Sequence, residues 1–146
     1  MTIPRLGTPP EDGRTYKFRP GVYAVLRRDK EVLLTLQAGE TPEVQLPGGG
    51  IDPGEHSLPA LHREVMEETG YGISEIRHLG SYRRFTFMPD YGFWAEKLCH
   101  IYLARPSLCK GPPLEPEHTP MWMPREVALE VISNPFDAPY IEMAFS

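Results

Sequence analysis

Short runs of apolar residues, separated by turn-forming residues, dominate the first third of the chain. Gly21 to Arg27 and Glu31 to Leu36 are apolar or β-branched runs on either side of Arg28-Asp29-Lys30, which predicts a β-hairpin. Val44 to Leu46 predicts a short strand. This strand is expected to end at Pro47-Gly48-Gly49-Gly50, because one proline and three glycines interrupt regular strand pairing.

The next segment predicts one well-defined helix, from Ser57 to Thr69. Leu58, Leu61 and Val65 recur at intervals of three and four residues and would form an apolar seam. Ser57 is a suitable N-cap residue, and Gly70 is placed to end the helix. We therefore expect this helix to pack against a sheet through its apolar seam.

The second half of the chain alternates between strand-forming and loop-forming segments. The expected elements are strands at Ile73 to Ser81, Tyr82 to Met88 and Leu98 to Ala104, a loop from Pro89 to Glu96, a proline-rich loop at 105–120, a strand at Met121 to Met123, and helices at Glu126 to Ile132 and 137–145. Residues 1–16 predict an N-terminal arm. Because strands precede and follow a central helix without strict β-α-β alternation, the pattern predicts the α/β class, as a sandwich with a mixed β-sheet.

Composition narrows the class of protein. A length of 146 residues suits a single domain, 1–146, and a composition of 40% hydrophobic and 24% charged residues argues against disorder. The net charge of −5 argues against a nucleic-acid partner bound through a broad basic face. The longest strongly apolar stretch, Val22 to Leu26, is far below the roughly 20 residues that a membrane span needs. With only two cysteines, we expect a cytoplasmic protein without a membrane span.

Three carboxylates of the predicted helix share one face. Glu64, Glu67 and Glu68 lie within about 100° of one another around the helix axis. Their repulsion costs only about 0.2–0.5 kcal/mol per pair, so a solvated acidic surface is the simpler interpretation of the helix alone. The glycine-rich segment before the helix changes this interpretation, because its backbone can approach a ligand closely. Carboxylate and carbonyl oxygens together suit Mg²⁺ or Mn²⁺.

Other phosphate-binding and catalytic patterns do not fit the sequence. A dinucleotide-binding fingerprint that starts at Gly48 requires glycine at position 53, where this chain has Pro53. The Gly-Lys-Ser/Thr sequence of a P-loop is absent. Histidines and cysteines do not occur at the spacing of a zinc site or of a catalytic triad.

The residues around the predicted helix match a known signature. Five residues separate Gly49 from Glu55, and seven separate Glu55 from the run Arg63-Glu64-Val65-Met66-Glu67-Glu68-Thr69-Gly70-Tyr71. At all nine specified positions this segment resembles the box of the Nudix hydrolase family. The resemblance implies an α/β/α sandwich in which the box forms a loop–helix–loop unit. It also implies hydrolysis of a diphosphate linkage in a nucleoside diphosphate derivative, by attack of water at phosphorus, with Mg²⁺ or Mn²⁺ as cofactor.

The same resemblance implies roles for individual residues. The implied metal ligands are the carbonyl of Gly48 and the carboxylates of Glu64, Glu67 and Glu68, of which Glu64 and Glu68 lead. Arg63 would hold a helix carboxylate in position, and Glu55 would steady metal-bound water. The general base stays open among Glu96, Glu115, Glu117 and a box glutamate. Glu96 is favoured, because a glutamate just before a strand is similar to the arrangement in ADP-ribose diphosphatases of the family.

A basic and aromatic segment after the box supplies candidates for substrate binding. Side chains that could contact phosphate or stack on a nucleobase are Arg83, Arg84, Tyr91, Phe93 and Trp94. ADP-ribose or another nucleoside-diphosphate sugar is the first substrate expectation. A pyrophosphohydrolase of modified nucleoside triphosphates and a non-catalytic nucleotide-binding module are the alternatives. We expect a small nucleotide as the partner, and a homodimer is compatible with the family.

Overall fold

Seven strands and three helices are present in residues 2–146, the part of the chain that the computed structural model describes. The strands are β1 (Lys17–Arg28), β2 (Glu31–Gln37), β3 (Glu43–Gln45), β4 (Gly48–Gly50), β5 (Tyr71–Met88), β6 (Phe93–Cys109) and β7 (His118–Pro124). The helices are α1 (Ser57–Thr69), α2 (Arg125–Val131) and α3 (Ala138–Met143), with a 3₁₀ turn at Pro135–Asp137 between α2 and α3.

The strands form one mixed sheet in the order β3-β2-β1-β6-β5, with β4 also paired to β1 and β7 to β2. β1 runs parallel to β6, from Lys17 beside Ala95 to Leu26 beside Ala104. The pairings of β1 with β2 and β4, of β2 with β3 and β7, and of β5 with β6 are antiparallel. The predicted mixed sheet and α/β class are therefore confirmed.

Helices cover both faces of the sheet, as an α/β/α sandwich requires. On one face, the buried residues of α1 pack against alternate residues of β1: Val22, Ala24, Leu26, Ala60, Leu61 and Val65. On the other face, α2 and α3 pack over a second core around Val25, Tyr82, Ile101 and Ile141. Because both faces are covered, the central strands read as continuous apolar runs.

The glycine segment is the first local departure from prediction. The chain does break after β3, but Gly48–Gly50 then forms strand β4, where we expected a loop. Gly48 lies beside Tyr23 and Gly50 beside Gly21 on β1. Gly48 has φ 151°, and a Cβ there would collide with the carbonyl of Val22. Only glycine allows the two backbones to approach this closely.

The long hairpin of β5 and β6 is the second departure. The two strands predicted between 73 and 88 are one strand with irregular pairing in its first half. β6 begins at Phe93, so the loop predicted from Pro89 to Glu96 is wrong beyond residue 92. Strand β6 also continues to Cys109, so the proline-rich loop, predicted at 105–120, spans only residues 110–117. Cross-strand pairing over the whole hairpin stabilises polar residues and Pro106 in extended conformation, which the local pattern does not reveal.

Helix α1 has the predicted bounds, but its N-cap residue and one residue of its apolar seam differ from the prediction. Gly70 ends it in a left-handed conformation with φ 79°. The N-cap residue is His56, not Ser57, and its side chain makes no capping hydrogen bond. Leu58 is 45% exposed and does not belong to the buried face.

The N-terminal arm lies along the outer edge of β5. The backbone of Arg83 donates to the carbonyl of Pro4 and accepts from the amide of Leu6, at 2.9 and 2.8 Å. Tyr16 packs edge-to-face on Phe85. The arm therefore covers strand groups that would otherwise be unpaired. Met1 lies outside the described residues. Within residues 2–146, the longest helices fall short of what a bilayer crossing requires.

Candidate functional site

Strand β4 lies directly under the carboxylates of α1. The amide of Gly48 donates to Oε1 of Glu68 at 3.2 Å. A Cβ on Gly49 would lie 2.5 Å from the carboxylate of Glu64. Glycine at these two positions is therefore what allows carboxylate oxygens to reach the backbone of the strand.

Burial raises the proton affinity of this carboxylate pair. Glu68 is only 4% exposed, and burial raises its pKa to about 9, with the charges of Glu64 and Glu115 acting in the same direction. Burial also raises the pKa of Glu64. Glu68 is thus protonated at neutral pH unless a cation is bound beside it. The raised pKa values of Glu64 and Glu68 indicate that too little positive charge lies close to these two carboxylates.

The proline-rich loop adds a fourth carboxylate. The amides of Leu114 and Glu115 donate to the carbonyl of Glu67 at 2.8 and 3.2 Å, and the amide of Lys110 donates to the carbonyl of Gly70 at 2.8 Å. The loop is thereby held on the carbonyl end of α1, which otherwise has unsatisfied acceptors. As a result, one carboxylate oxygen from each of Glu64, Glu67 and Glu115 lies within 4.8 Å of the others.

A buried histidine closes the site from the side of β7. The His118 side chain is 4% exposed, and its Nε2 lies 3.3 Å from Oε2 of Glu115 and 3.5 Å from Oε2 of Glu68. Its Nδ1 is buried and has no hydrogen-bond partner in residues 2–146. Burial lowers the pKa of the imidazole, which favours the neutral ring.

Arg63 is the main positive charge beside the carboxylates. Its Nε and Nη2 donate to the two oxygens of Glu55 at 2.8 and 2.9 Å, and Nη1 donates to Glu64 at 3.0 Å and to Glu67 at 3.3 Å. Nη2 also donates to the carbonyl of Gly50 at 3.2 Å. The hydrogen bonds that Glu55 accepts from Arg63 and from the backbone amide of Asp52 lower its pKa to about 2. Arg63 therefore ties the helix to β4 and to the loop that precedes it.

The donor set fits a divalent cation. Four carboxylates converge, and one of them is deeply buried with a strongly raised pKa, so a cation is the group that this arrangement lacks. Oxygen donors at this density suit Mg²⁺ and Mn²⁺. The structure brings together the predicted ligands Glu64, Glu67 and Glu68. Gly48 meets them through its N–H group; ligation through its carbonyl stays a prediction.

Of the proposed general bases outside the box, only Glu115 lies in the site. Glu96 is within β6, where it accepts from Nη1 of Arg83 at 3.2 Å. It lies beside Phe18 on β1, four residues from Val22, which is the partner of Gly49, so about 13 Å of strand separates the two levels. Glu117 is exposed at the loop surface.

The predicted substrate residues do not form one surface. Arg83 is paired with Glu96, whereas Arg84 lies over the ring of Phe136, 5.7 Å from its centroid. Trp94 is covered by the guanidinium of Arg14, 3.9 Å from its ring centroid. Arg84 and Trp94 line a cavity of about 440 Å³ between the N-terminal arm and the edge of β5, not the carboxylate site.

Tyr91 and Phe93 contact Arg19, a residue that was not predicted from the sequence, and Arg19 in turn lies beside the glycine strand. Their rings are 5.5 Å apart, and the guanidinium of Arg19 lies 5.1 Å from Tyr91 and 5.8 Å from Phe93. A Cβ on Gly50 would lie 3.8 Å from Nη2 of Arg19. This aromatic–arginine cluster therefore adjoins the end of β4. The sequence feature that could have indicated this cluster is the alternation of Lys17 and Arg19 at the start of β1, which puts both cations on one side of the strand.

No site role was predicted from the sequence for His118, although its place in the proline-rich segment makes it the histidine most worth testing. Glu115 was one of four candidate bases. Neither carries a local signal, because their position depends on hydrogen bonds between the proline-rich loop and the end of α1.

Comparisons with known proteins relate the chain to one family. The family model described as NUDIX domain matches residues 17–143. The chain is 39% identical over 97 residues to an RNA pyrophosphohydrolase of Ruthia magnifica, covering 64% of this chain and 49% of the relative. It is 36% identical over 92 residues to a CMP-5'-(N-acetyl-N-hydroxy-3-aminopropyl)phosphonate hydrolase of Streptomyces rubellomurinus, covering 62% and 42%. The chain thus spans less than half the length of these curated relatives.

Solved structures show the same fold. A NUDIX hydrolase from Nitrosomonas europaea superposes with a TM-score of 0.69 at 21% identity, covering 88% of each chain. The E. coli ORF135 protein superposes with a TM-score of 0.63 at 26% identity, covering 89% of each chain. The family match covers most of the chain and includes the glycine strand, the carboxylate helix and the loop that meets it. The chain belongs to the NUDIX domain family, the family of the Nudix hydrolases.

Proposed function

We propose that this protein hydrolyses a diphosphate linkage in a nucleoside diphosphate derivative, with Mg²⁺ or Mn²⁺ as cofactor. The observation that carries the proposal is the convergence of Glu64, Glu67, Glu68 and Glu115 above a strand made only of glycines. Carboxylates placed so densely, with a raised pKa at Glu68, have a strong tendency to take up cations. A non-catalytic module would be expected to have lost some of the box carboxylates. Every box glutamate is present in this chain, so this alternative has no support from the sequence.

In this proposal the box residues hold the ion and the backbone of β4 positions them. A bound divalent ion supplies positive charge for the diphosphate and lowers the pKa of water. Glu64, Glu67 and Glu68 hold it, while the amide of Gly48 keeps one oxygen of Glu68 in a fixed direction. Arg63 keeps Glu64 and Glu67 from turning away and neutralises part of their mutual repulsion.

Glu115 is the base that the geometry favours for accepting a proton from the attacking water. Burial, together with the charges of Glu117 and Glu67, raises its pKa above the usual value for glutamate. A base with a raised pKa accepts a proton more readily at neutral pH. Its carboxylate is only 35% exposed and faces the box carboxylates, whereas Glu96 is held by Arg83.

Two substrate classes compete for the site. Glu96, which was favoured as the base by similarity to ADP-ribose diphosphatases, lies away from the carboxylates, and this removes one support for ADP-ribose, the first expectation. A relative named putative 8-oxo-dGTP diphosphatase supports the alternative, a pyrophosphohydrolase of modified nucleoside triphosphates. Relatives named RNA pyrophosphohydrolase add an RNA with a 5′-triphosphate to the candidate substrates. The aromatic–arginine cluster of Arg19, Tyr91 and Phe93 offers stacking surfaces and a positive charge beside β4 to either class.

The proposed activity is tested by neutralising single carboxylates. Glu64→Gln and Glu68→Gln should each abolish hydrolysis in Mg²⁺ or Mn²⁺, because each removes a charge that holds the ion. Their melting temperatures without metal should not fall, since burial already disfavours the ionised carboxylates. Glu130→Gln, an exposed position on α2, is the matched control and should keep wild-type turnover. Wild-type rates in both site variants would contradict the proposal.

Arg63 is tested separately, because it acts on the carboxylates and not on the ion. Arg63→Ala should lower kcat by roughly 10–100-fold, as expected when a group that orients metal ligands is lost. Arg63→Lys should recover only part of this loss, because a single ammonium cannot contact Glu55, Glu64 and Glu67 together. An unchanged rate and metal requirement in Arg63→Ala would show that these ion pairs are not needed.

The substrate class is tested with a panel at fixed metal concentration. The panel contains ADP-ribose, unmodified and 8-oxo nucleoside triphosphates, a dinucleoside polyphosphate and an RNA with a 5′-triphosphate. The expected result is highest kcat/KM on a triphosphate, with pyrophosphate as product. A preference for ADP-ribose would instead restore the first expectation. If every compound binds in a thermal-shift assay and none is cleaved, the non-catalytic alternative is correct.

The raised pKa of Glu68 predicts a pH dependence of stability. The folded metal-free protein binds a proton at Glu68 between the unfolded value of 4.5 and about 9, while the unfolded chain does not. The free energy of unfolding without metal should therefore decrease as pH rises through this window. Glu68→Gln should flatten that decrease, and saturating Mn²⁺ should reverse it. Urea denaturation at several pH values, in chelator and separately in excess Mn²⁺, measures this. Identical slopes of wild type and variant in chelator would contradict the prediction.

A further inference from the structure

Two histidines and a serine meet on the hairpin of β5 and β6, outside the carboxylate site. Nε2 of His78 lies 2.9 Å from the hydroxyl oxygen of Ser81, and Nδ1 of His100 lies 2.7 Å from the same oxygen. Because a hydroxyl has one proton, it can donate to one ring and accept from the N–H group of the other. Two imidazole nitrogens are therefore directed at one point on the hairpin.

An irregularity in strand pairing puts these side chains on the same face of the hairpin. His78 lies opposite Tyr102 and Ser81 lies opposite His100, so three steps along β5 correspond to two steps along β6. Residues three apart in a regular strand point to opposite faces. The extra residue of β5 therefore turns His78 toward Ser81. Bulges of this kind re-aim side chains and are over-represented next to functional sites.

The donor chemistry suits a transition ion. Neutral imidazole is the commonest protein ligand for metals and favours zinc, copper and nickel, whereas Mg²⁺ favours oxygen donors. When both rings bind an ion, the proton of each moves to its other nitrogen. His78 is exposed, and Nε2 of His100 is not among the buried, unpartnered polar atoms of residues 2–146. Metal binding thus leaves no unpaired N–H group buried on either ring.

The histidine pair is separate from the box carboxylates. His100 lies beside Val22 of β1, and Gly49, under Glu64, lies on the other side of Val22. Neighbouring strands are about 4.8 Å apart, so the backbones of His100 and Gly49 are roughly 10 Å apart. The side chain of Val22 is fully buried between them. An ion at the histidine pair would join β5 to β6 without taking a ligand from the box.

We propose that Nε2 of His78 and Nδ1 of His100 chelate a late first-row divalent ion, of the class of Cu²⁺, Ni²⁺ and Zn²⁺. The ion replaces the hydrogen bonds that now run through Ser81, and the hydroxyl and water are available as further donors. It bridges the two strands at the bulge, where their pairing is irregular. Hydrolysis in Mg²⁺ does not require it.

The first test counts the bound imidazoles. Less than one equivalent of Cu²⁺ is added to the full-length protein in excess Mg²⁺, and pulsed electron paramagnetic resonance records coupling to the remote ¹⁴N of each bound ring. Wild type should show two imidazoles. His78→Gln and His100→Gln should each remove one, and His62→Gln, which replaces an exposed histidine of α1, should keep both. A wild-type spectrum with at most one imidazole, or one unchanged in both variants of the pair, would overturn the proposal.

Calorimetric titration with Zn²⁺ in excess Mg²⁺ supplies a second readout. His78→Gln, at an exposed position, should weaken Zn²⁺ binding by roughly 100-fold, because the second ring binds as an intramolecular ligand at high effective concentration. Ser81→Ala should weaken it by less than about tenfold, the contribution of one ordinary hydrogen bond. Unchanged binding in His78→Gln, or an equal loss in Ser81→Ala, would overturn the proposal.

Hydrolysis separates this proposal from the proposed function. His78→Gln should turn over substrate in Mg²⁺ at the wild-type rate, because the pair takes no part in the carboxylate site. If wild type hydrolyses substrate but binds neither Cu²⁺ nor Zn²⁺ through these rings, the histidine site is refuted and the proposed function stands. If the rings bind the ions and no compound is cleaved, the reverse holds.

Discussion

The close contact between a glycine strand and a carboxylate helix is the constraint on which the rest of the site depends. Gly48 leaves no room for a side chain against β1, and Gly49 leaves none under Glu64. This contact lets the amide of Gly48 bond to Glu68 at a depth that water hardly reaches. A methyl group at Gly48 would collide with the backbone of β1, and a methyl group at Gly49 would displace the carboxylate of Glu64.

Desolvation of like charges is the cost of that arrangement. Glu68 loses most of its hydration, and its neighbours raise its pKa further. Arg63 donates hydrogen bonds to Glu64 and Glu67 and so offsets the repulsion between them. Within residues 2–146, its hydrogen bonds do not include one to Glu68. The site is therefore incompletely neutralised by the protein itself. That imbalance is the physical reason for assigning a cation to it.

The proline-rich loop connects the fold to the chemistry. Its amides satisfy the carbonyl groups of Glu67 and Gly70 at the end of α1, and the same hydrogen bonds carry Glu115 to the box carboxylates. Strand β7 begins immediately afterwards with His118, which pairs with Gln37 of β2 in the sheet. The hydrogen bonds that satisfy the end of α1 thus also place Glu115 beside the box carboxylates, while the sheet pairing of β7 positions His118.

The sequence by itself determined helix α1, its glycine end, the hairpin of β1 and β2 and the box carboxylates, because each depends on local spacing. Tertiary structure alone decided that Gly48–Gly50 pairs as a strand, that Glu96 lies inside β6 with Arg83, and that Glu115 and His118 join the carboxylates. It also separated Arg84 and Trp94 from the site. These placements depend on pairing between residues far apart in the chain, and no pattern within one segment records which distant partner supplies the hydrogen bonds.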